Sequence, residues 1–305
     1  MSEVNIADNR PLDLLVRKLE SMGPLTADER QAILSLPASV RVLPPRYDIL
    51  HEDDRPSQCC IVLSGWLWCY RSLSSGKRQI ISLHMMGDLP DLQGLELPVI
   101  DYSLGTISES TVAFTPRVHL QELAATQPRI AKALWQVAAA DAVVTREWMV
   151  SLGRRSALEH LAHLLCELYV RQQALKKARD YCCELPINQC NIADILGLTN
   201  AHVNRMAKIL KQRGLATLDG KMLSIHNWSR LVRLCEFNVN YLSPKLQIIP
   251  KLKCDQTNES LHLDHQLNLR DYGRIRSDYD GGAADRAVPP CRQERWRGRL
   301  TSNAI

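Results

Sequence analysis

The sequence predicts an α+β fold: an antiparallel β-sandwich or jelly roll first, then one long helix, then a winged helix-turn-helix. Three observations carry this. Between Val40 and Pro116 short apolar runs alternate with turn residues, and Gly65, Gly76 and Gly87 recur at a constant spacing, the rhythm of strands joined by tight turns. From Gln127 to Leu152 apolar residues recur at helical spacing with no breaker after Pro128. From Leu185 to Ile225 two short helical patterns, a glycine-centred turn and a hairpin follow one another.

The chain opens with a helical stretch in which Leu12, Leu15, Val16 and Leu19 share one face before Met22-Gly23-Pro24 breaks it. Thr26 and Glu29 have the spacing of a capping box, and the helix they start ends before Pro37. In the strand-rich region, Val62–Arg71 and Arg78–Leu83 alternate well enough to form a hairpin around Ser74-Ser75-Gly76. In the long helix Pro128 suits the first turn. Ile130, Leu134, Val137, Val144 and Trp148 make a heptad-like stripe that Asp141 interrupts. Gly153-Arg154-Arg155-Ser156 reads as a hinge into a further helix, whose apolar face is Leu158, Leu161, Ala162, Leu165, Leu168 and Tyr169.

The helix-turn-helix is the most informative stretch. Gln189–Leu196 is expected as its first helix, stopped by Gly197, which adopts a left-handed turn without steric cost. Thr199 is expected to cap a second helix from Asn200 to about Arg213, with Val203, Met206, Ala207 and Leu210 inward. Its other faces carry Asn200, His202, Asn204, Arg205, Lys208, Lys211 and Arg213, with no carboxylate among them. Donors and cations alone suit a major groove, where phosphates flank acceptor-rich base edges. Leu215–Leu218, Asp219-Gly220 and Met222–Ile225 read as a hairpin, because Asp-Gly favours a two-residue primed turn.

The whole chain has 305 residues, enough for two ordinary domains, and its net charge of +5 says little about a nucleic-acid partner. The ten cysteines include no Cys-x-x-Cys pair and follow no export-type segment. No run approaches the length needed to span a membrane. Reduced cysteines and a cytoplasmic location are expected.

The segment IADILGLTNAHVNR with the wing after it resembles the DNA-binding domain of the Crp/Fnr family of bacterial transcription regulators. LGRRSALEHLAHLLCELY and HNWSRLVRLCEFNVNYL, which flank that domain, are similar to one group of the family. The resemblance covers the chain to about Leu242. It implies that residues 1–126 form a double-stranded β-roll like that of cyclic-nucleotide-binding domains. Residues 127–152 are then a dimerisation helix, and residues 153–242 the winged helix-turn-helix. It further implies a homodimer on double-stranded DNA bearing an inverted-repeat operator, with RNA polymerase and an unidentified small-molecule effector as further partners. No enzyme activity is implied. By the family pattern Asn200, Ala201 and Arg205 face bases, Thr199 and His202 contact the DNA backbone, and Lys208 lies near it; Asn204 shares the donor face. Ala201 departs from the acidic residue of the best-known members and Asn191 replaces a usual Glu, so their operator sequence does not carry over.

Residues 243–305 have few large apolar side chains after Leu269 and no sustained periodicity, and are expected to be disordered, with a basic end formed by Arg286, Arg292, Arg295, Arg297 and Arg299. His160, His163 and Glu167 share a helical face, but histidines at this spacing more often serve as solvated or hydrogen-bonded side chains, and neither metal nor cofactor is expected. Adjacent Cys59 and Cys60 on a strand would point to opposite faces, which favours packing over an iron–sulfur or thiol sensor. The rival to DNA-binding regulation is a small-molecule or redox sensor whose DNA contact is secondary or lost. Sequence-dependent duplex binding separates the two.

The resemblance also sets an expectation about ligand. Family members that bind cyclic AMP meet its phosphate with an arginine, whereas Gly87–Pro116 here contains neither Lys nor Arg and carries Asp88, Asp91, Glu96, Asp101 and Glu109. Burying a phosphate charge without cations is costly. A roll that does not bind cyclic AMP is expected, unless Lys77, Arg78 or a partner subunit supplies the cation.

Overall fold

The computed structural model describes residues 11–242. The expectations for residues 243–305 therefore lie outside the described residues. Two helices lead in. Helix α1 (Asp13–Met22) buries Leu15, Val16 and Leu19. Helix α2 (Ala27–Leu34) opens on the expected capping box: Thr26 Oγ1 accepts from the Glu29 N–H at 3.2 Å, and Glu29 Oε2 accepts from the Thr26 N–H at 2.7 Å.

Seven strands follow: β1 (Ser39–Leu43), β2 (Asp48–Leu50), β3 (Gln58–Ser64), β4 (Leu67–Ser72), β5 (Arg78–His84), β6 (Ser103–Thr106) and β7 (Ser110–Pro116). They make two antiparallel sheets, ordered β1-β7-β3 and β2-β6-β4-β5. Leu43, Val62, Leu67, Tyr102, Leu104 and Phe114 fill the space between them. The outer face of the first sheet is covered by α1, α3 (Arg117–Thr126) and α4 (Pro128–Arg154), so Ile61 and Ala113 are buried there as well. Coverage of both faces explains why β3 reads as a continuous apolar run rather than an alternation. Cys59 and Cys60 divide as the strand period requires, one into the helical layer and one between the sheets.

The structure corrects one strand. Val62–Arg71 is not continuous: Gly65 turns at φ +83°, and a Cβ there would stand 2.2 Å from Ser110 Oγ. That break sends β3 and β4 to different sheets. The expected turn around Ser74-Ser75-Gly76 does join β4 to β5.

The 27-residue α4 is about 40 Å long. Its predicted stripe packs within the protomer. Ile130, Leu134 and Val137 pack into the core shared with α1 and β3, and Trp148 packs against the C-terminal helices. The face left open carries Trp135, 74% exposed, and Met149, 67% exposed. Asp141, which interrupts the stripe, feels the charges of Asp88, Lys18 and Arg171: burial and then Asp88 raise its pKa to about 6 against the pull of the two cations.

After the hinge come α5 (Ala157–Ala174), β8 (Ala178–Arg179), β9 (Cys182–Glu184), α6 (Gln189–Leu196), α7 (Asn200–Gln212), β10 (Ala216–Asp219), β11 (Met222–Ile225) and α8 (Trp228–Cys235). The wing hairpin is half of a four-stranded sheet ordered β10-β11-β9-β8. Helix α5 starts on a second capping box, Ser156 with Glu159, and is buried along its middle because α7, α8 and β8–β9 pack around it. No helix among the described residues is long and apolar enough to cross a membrane.

Candidate nucleic-acid interface

Helix α6, the turn and α7 are built from local signals. Asn188 caps α6, and Asn191 returns the bond: each side-chain oxygen accepts the other's backbone N–H at 2.9 Å. A capping box with asparagine at both positions accounts for Asn191 where a glutamate is usual. Gly197 takes the left-handed conformation at φ 64° and ends α6, and the Leu198 N–H reaches back to the Ala193 carbonyl at 3.0 Å. Thr199 Oγ1 then accepts from the His202 N–H at 3.3 Å and starts α7.

Val203 and Leu210 anchor α7 in the core, with Met206 and Ala207 half-buried beside them. Thr199, Asn200, Ala201, Arg205 and Lys208 are exposed; His202 and Asn204 are half-buried at the edge of the same surface. All seven predicted side chains therefore gather along one helix and its cap. Burial, and then the Arg205 charge, lower the pKa of His202, so near neutral pH its ring offers one N–H rather than two. The Asn200 amide donates to Cys190 Sγ on α6 at 3.1 Å. The Thr199 hydroxyl, busy as a helix-cap acceptor, keeps its own hydrogen for an outside acceptor.

Family models match two segments: a cyclic nucleotide-binding domain over residues 40–127 and a Crp-like helix-turn-helix domain over residues 159–234. The nitrogen fixation regulation protein FixK of Rhizobium meliloti is 30% identical over 219 residues, covering 72% of this chain and 94% of that protein. The chain belongs to the Crp/Fnr family of transcription regulators. It is a DNA-binding regulator of the Crp/Fnr type, a family of regulators and not of enzymes. The transcriptional activator protein FnrL of Cereibacter sphaeroides is 26% identical over 176 residues, 57% of this chain and 70% of its own. Among solved structures, FixK2 from Bradyrhizobium japonicum superposes with a TM-score of 0.60 at 29% identity, covering 65% of this chain and 98% of that one.

Of the acids singled out in the Crp/Fnr roll, Asp88 and Asp91 are occupied within the protomer, whereas Glu96, Asp101 and Glu109 are exposed. Asp88 accepts from Lys18 Nζ at 2.7 Å, Arg171 Nη2 at 3.1 Å and the Met85 N–H at 2.9 Å. Burial alone would raise its pKa, but Lys18 and Arg171 hold it well below the usual carboxylate range. Asp91 is fully buried and accepts from the Cys60 N–H at 3.0 Å. Burial pushes its pKa up to about 6, with Cys60 and Arg117 pulling the other way. The predicted His160–His163–Glu167 face serves packing: His163 Nε2 lies 3.2 Å from Glu147 Oε1, and Glu167 accepts from Trp148 Nε1 and the Tyr241 hydroxyl, each at 2.8 Å. Among the described residues no group of three or more His, Cys, Asp or Glu is placed to hold a metal.

One cluster had no signal in the sequence. Arg78 on β5 donates through Nε and Nη2 to Asp194 Oδ2 on α6, at 3.0 and 2.7 Å. Its guanidinium lies 4.4 Å from the Trp68 ring centroid. The partners are 116 residues apart, and no local pattern links them.

Proposed function

We propose that the protein is a homodimeric, sequence-specific regulator that reads an inverted-repeat operator through α7, with a roll that does not take cyclic AMP. The observation that carries the reading is the free surface of α7, where Asn200, Ala201, Arg205 and Lys208 are exposed and no carboxylate occurs. Asn200, Ala201 and Arg205 face bases, with Asn204 beside them; Thr199, His202 and Lys208 meet phosphates. RNA polymerase is the further partner of such a regulator at a promoter.

The open face of α4 supports the dimer. Trp135, Ala139, Ala142, Arg146 and Met149 are exposed at alternating spacings of four and three, the pattern of a two-helix seam. A tryptophan 74% exposed on a helix is costly unless a partner covers it. The seam lies on the opposite side from the stripe that the periodicity picks out.

The absence of cyclic AMP control rests on charge. Of the two cations singled out in the sequence, Arg78 is paired with Asp194 and Lys77 lies exposed, while Lys18 and Arg171 are both committed to Asp88. An effector that is uncharged or cationic, or none, fits such a roll better than an anion. Selection of bound duplexes from a random pool is expected to return an inverted repeat. Calorimetry is expected to show no heat with cyclic AMP up to millimolar concentration, and DNA affinity is expected not to respond to it. Micromolar cyclic AMP binding that strengthens DNA contact would refute the second half of the reading; asymmetric or sequence-indifferent selection would refute the first.

A further inference from the structure

The reading head could be joined to the rest of the protomer by the hinge alone, and then its orientation would be loose. It is not. Three contacts seat the turn of the helix-turn-helix. The Arg78–Asp194 pair ties β5 to α6 with two hydrogen bonds to one carboxylate oxygen. The Gln79 side-chain amide donates to the Ile195 carbonyl at 2.9 Å, near the C-terminus of α6. A Cβ built on Gly197 would stand 3.4 Å from Gln79 Oε1 and 3.6 Å from Leu152 Cδ2, so the turn sits between β5 and the end of α4.

Arg78 is itself fixed. Its guanidinium lies over Trp68, and 5.3 Å from the Tyr70 ring centroid, while Tyr70 donates to Asp48 at 2.8 Å. An arginine held against two aromatic rings on a sheet has lost much of its rotamer freedom before it meets Asp194, so less is lost on pairing. The side chains of the pair are about one-third exposed, 32% and 30%, so its strength comes from this geometry more than from burial.

We propose that Arg78 and Asp194 are positioning residues that fix α7 relative to α4, and so set which half-site spacing the dimer accepts. The inference rests on the dimeric operator-reading function proposed above. Two copies of α7 joined through α4 face successive major grooves about one helical turn apart. Inserting one base pair moves one half-site by about 3.4 Å and turns it by roughly 35°. A head held by Arg78, Gln79 and Leu152 cannot follow that turn; a head on a bare hinge can. The latch leaves Asn200, Ala201, Arg205 and Lys208 uncovered, so it orients the DNA-contacting surface without blocking it.

The test uses the full chain with Arg78→Gln, Asp194→Asn, both together, and the exchange Arg78→Asp with Asp194→Arg. Amide hydrogen exchange without DNA reads the latch itself. Arg78→Gln is expected to speed exchange in residues 192–198, Asp194→Asn in residues 78–84, and the charge exchange to restore part of both. Protection identical in all variants would overturn the latch whatever the protein binds. Binding is then measured on the selected operator and on operators with the spacer one base pair longer or shorter. The ratio between spacers is the readout, because Asp194→Arg changes the overall charge near DNA. Each single variant is expected to lower the wild-type spacing preference by about three-fold or more, the double variant by little beyond either single one. Wild-type preference that survives intact in every variant would overturn the positioning role. A wild type that selects no inverted repeat would instead refute the dimeric reading, and the exchange data would still decide whether the latch exists.

Discussion

Single side chains carry the finest claims. Arg205 stands exposed on α7 with the planar fork that pairs with a guanine edge. Arg205→Ala is expected to cost about 1–3 kcal/mol of operator binding and to relax preference at one base pair per half-site. Titration against a duplex library checks it, and unchanged preference at every position would contradict the assignment. Asp91 offers a test of the roll. Its folded pKa of about 6 stands above the ordinary 3.8, so the folded state holds the proton more tightly than the unfolded one. The contribution is fully favourable below about pH 4 and is lost as pH rises through about 6. Asp91→Asn keeps an acceptor for the Cys60 N–H and removes the ionisation. Its melting temperature relative to wild type is expected to rise between pH 4.5 and 7.5, by an amount equivalent to no more than about 3 kcal/mol. A constant difference across that range would mean that Asp91 does not titrate there.

At the scale of elements, what could be read in the sequence was whatever is encoded locally. The bounds of α6, the left-handed Gly197, the Thr199 cap and the capping box at Thr26 depend on residues within one turn of each other. The β8–β9 hairpin was invisible because its strands are two and three residues long. Its turn, moreover, puts Asp180 and Tyr181 at positive φ with no glycine to announce it. What covers the α4 stripe was not legible, for a different reason. Periodicity finds an apolar stripe but not the neighbour that covers it, and here α1, β3 and α5 cover Ile130, Leu134, Val137 and Trp148. The stripe proposed for the dimer is small and mixed, with Ala139, Ala142 and Arg146 between Trp135 and Met149. Trp135→Glu with Met149→Glu is expected to convert the dimer to a folded monomer, since both side chains are exposed in the protomer. Sedimentation velocity with circular dichroism distinguishes that outcome from unfolding, and a persisting dimer would place the seam elsewhere.

For the whole molecule, family membership fixes the type of activity, and the geometry narrows how it is carried out. Neither the Arg78–Asp194 contact nor the Lys18–Asp88–Arg171 cluster was legible, because each joins residues at least 70 positions apart. Both bear on the relation between roll and reading head, where regulation by an effector would act. The central claim is that two chains read one symmetric site. Analytical ultracentrifugation of the protein with its selected duplex, at fixed salt, tests it most directly. Two chains per duplex are predicted, with half-site centres about 34 Å apart and the same stoichiometry with or without cyclic AMP. One chain bound to a single asymmetric half-site would contradict it.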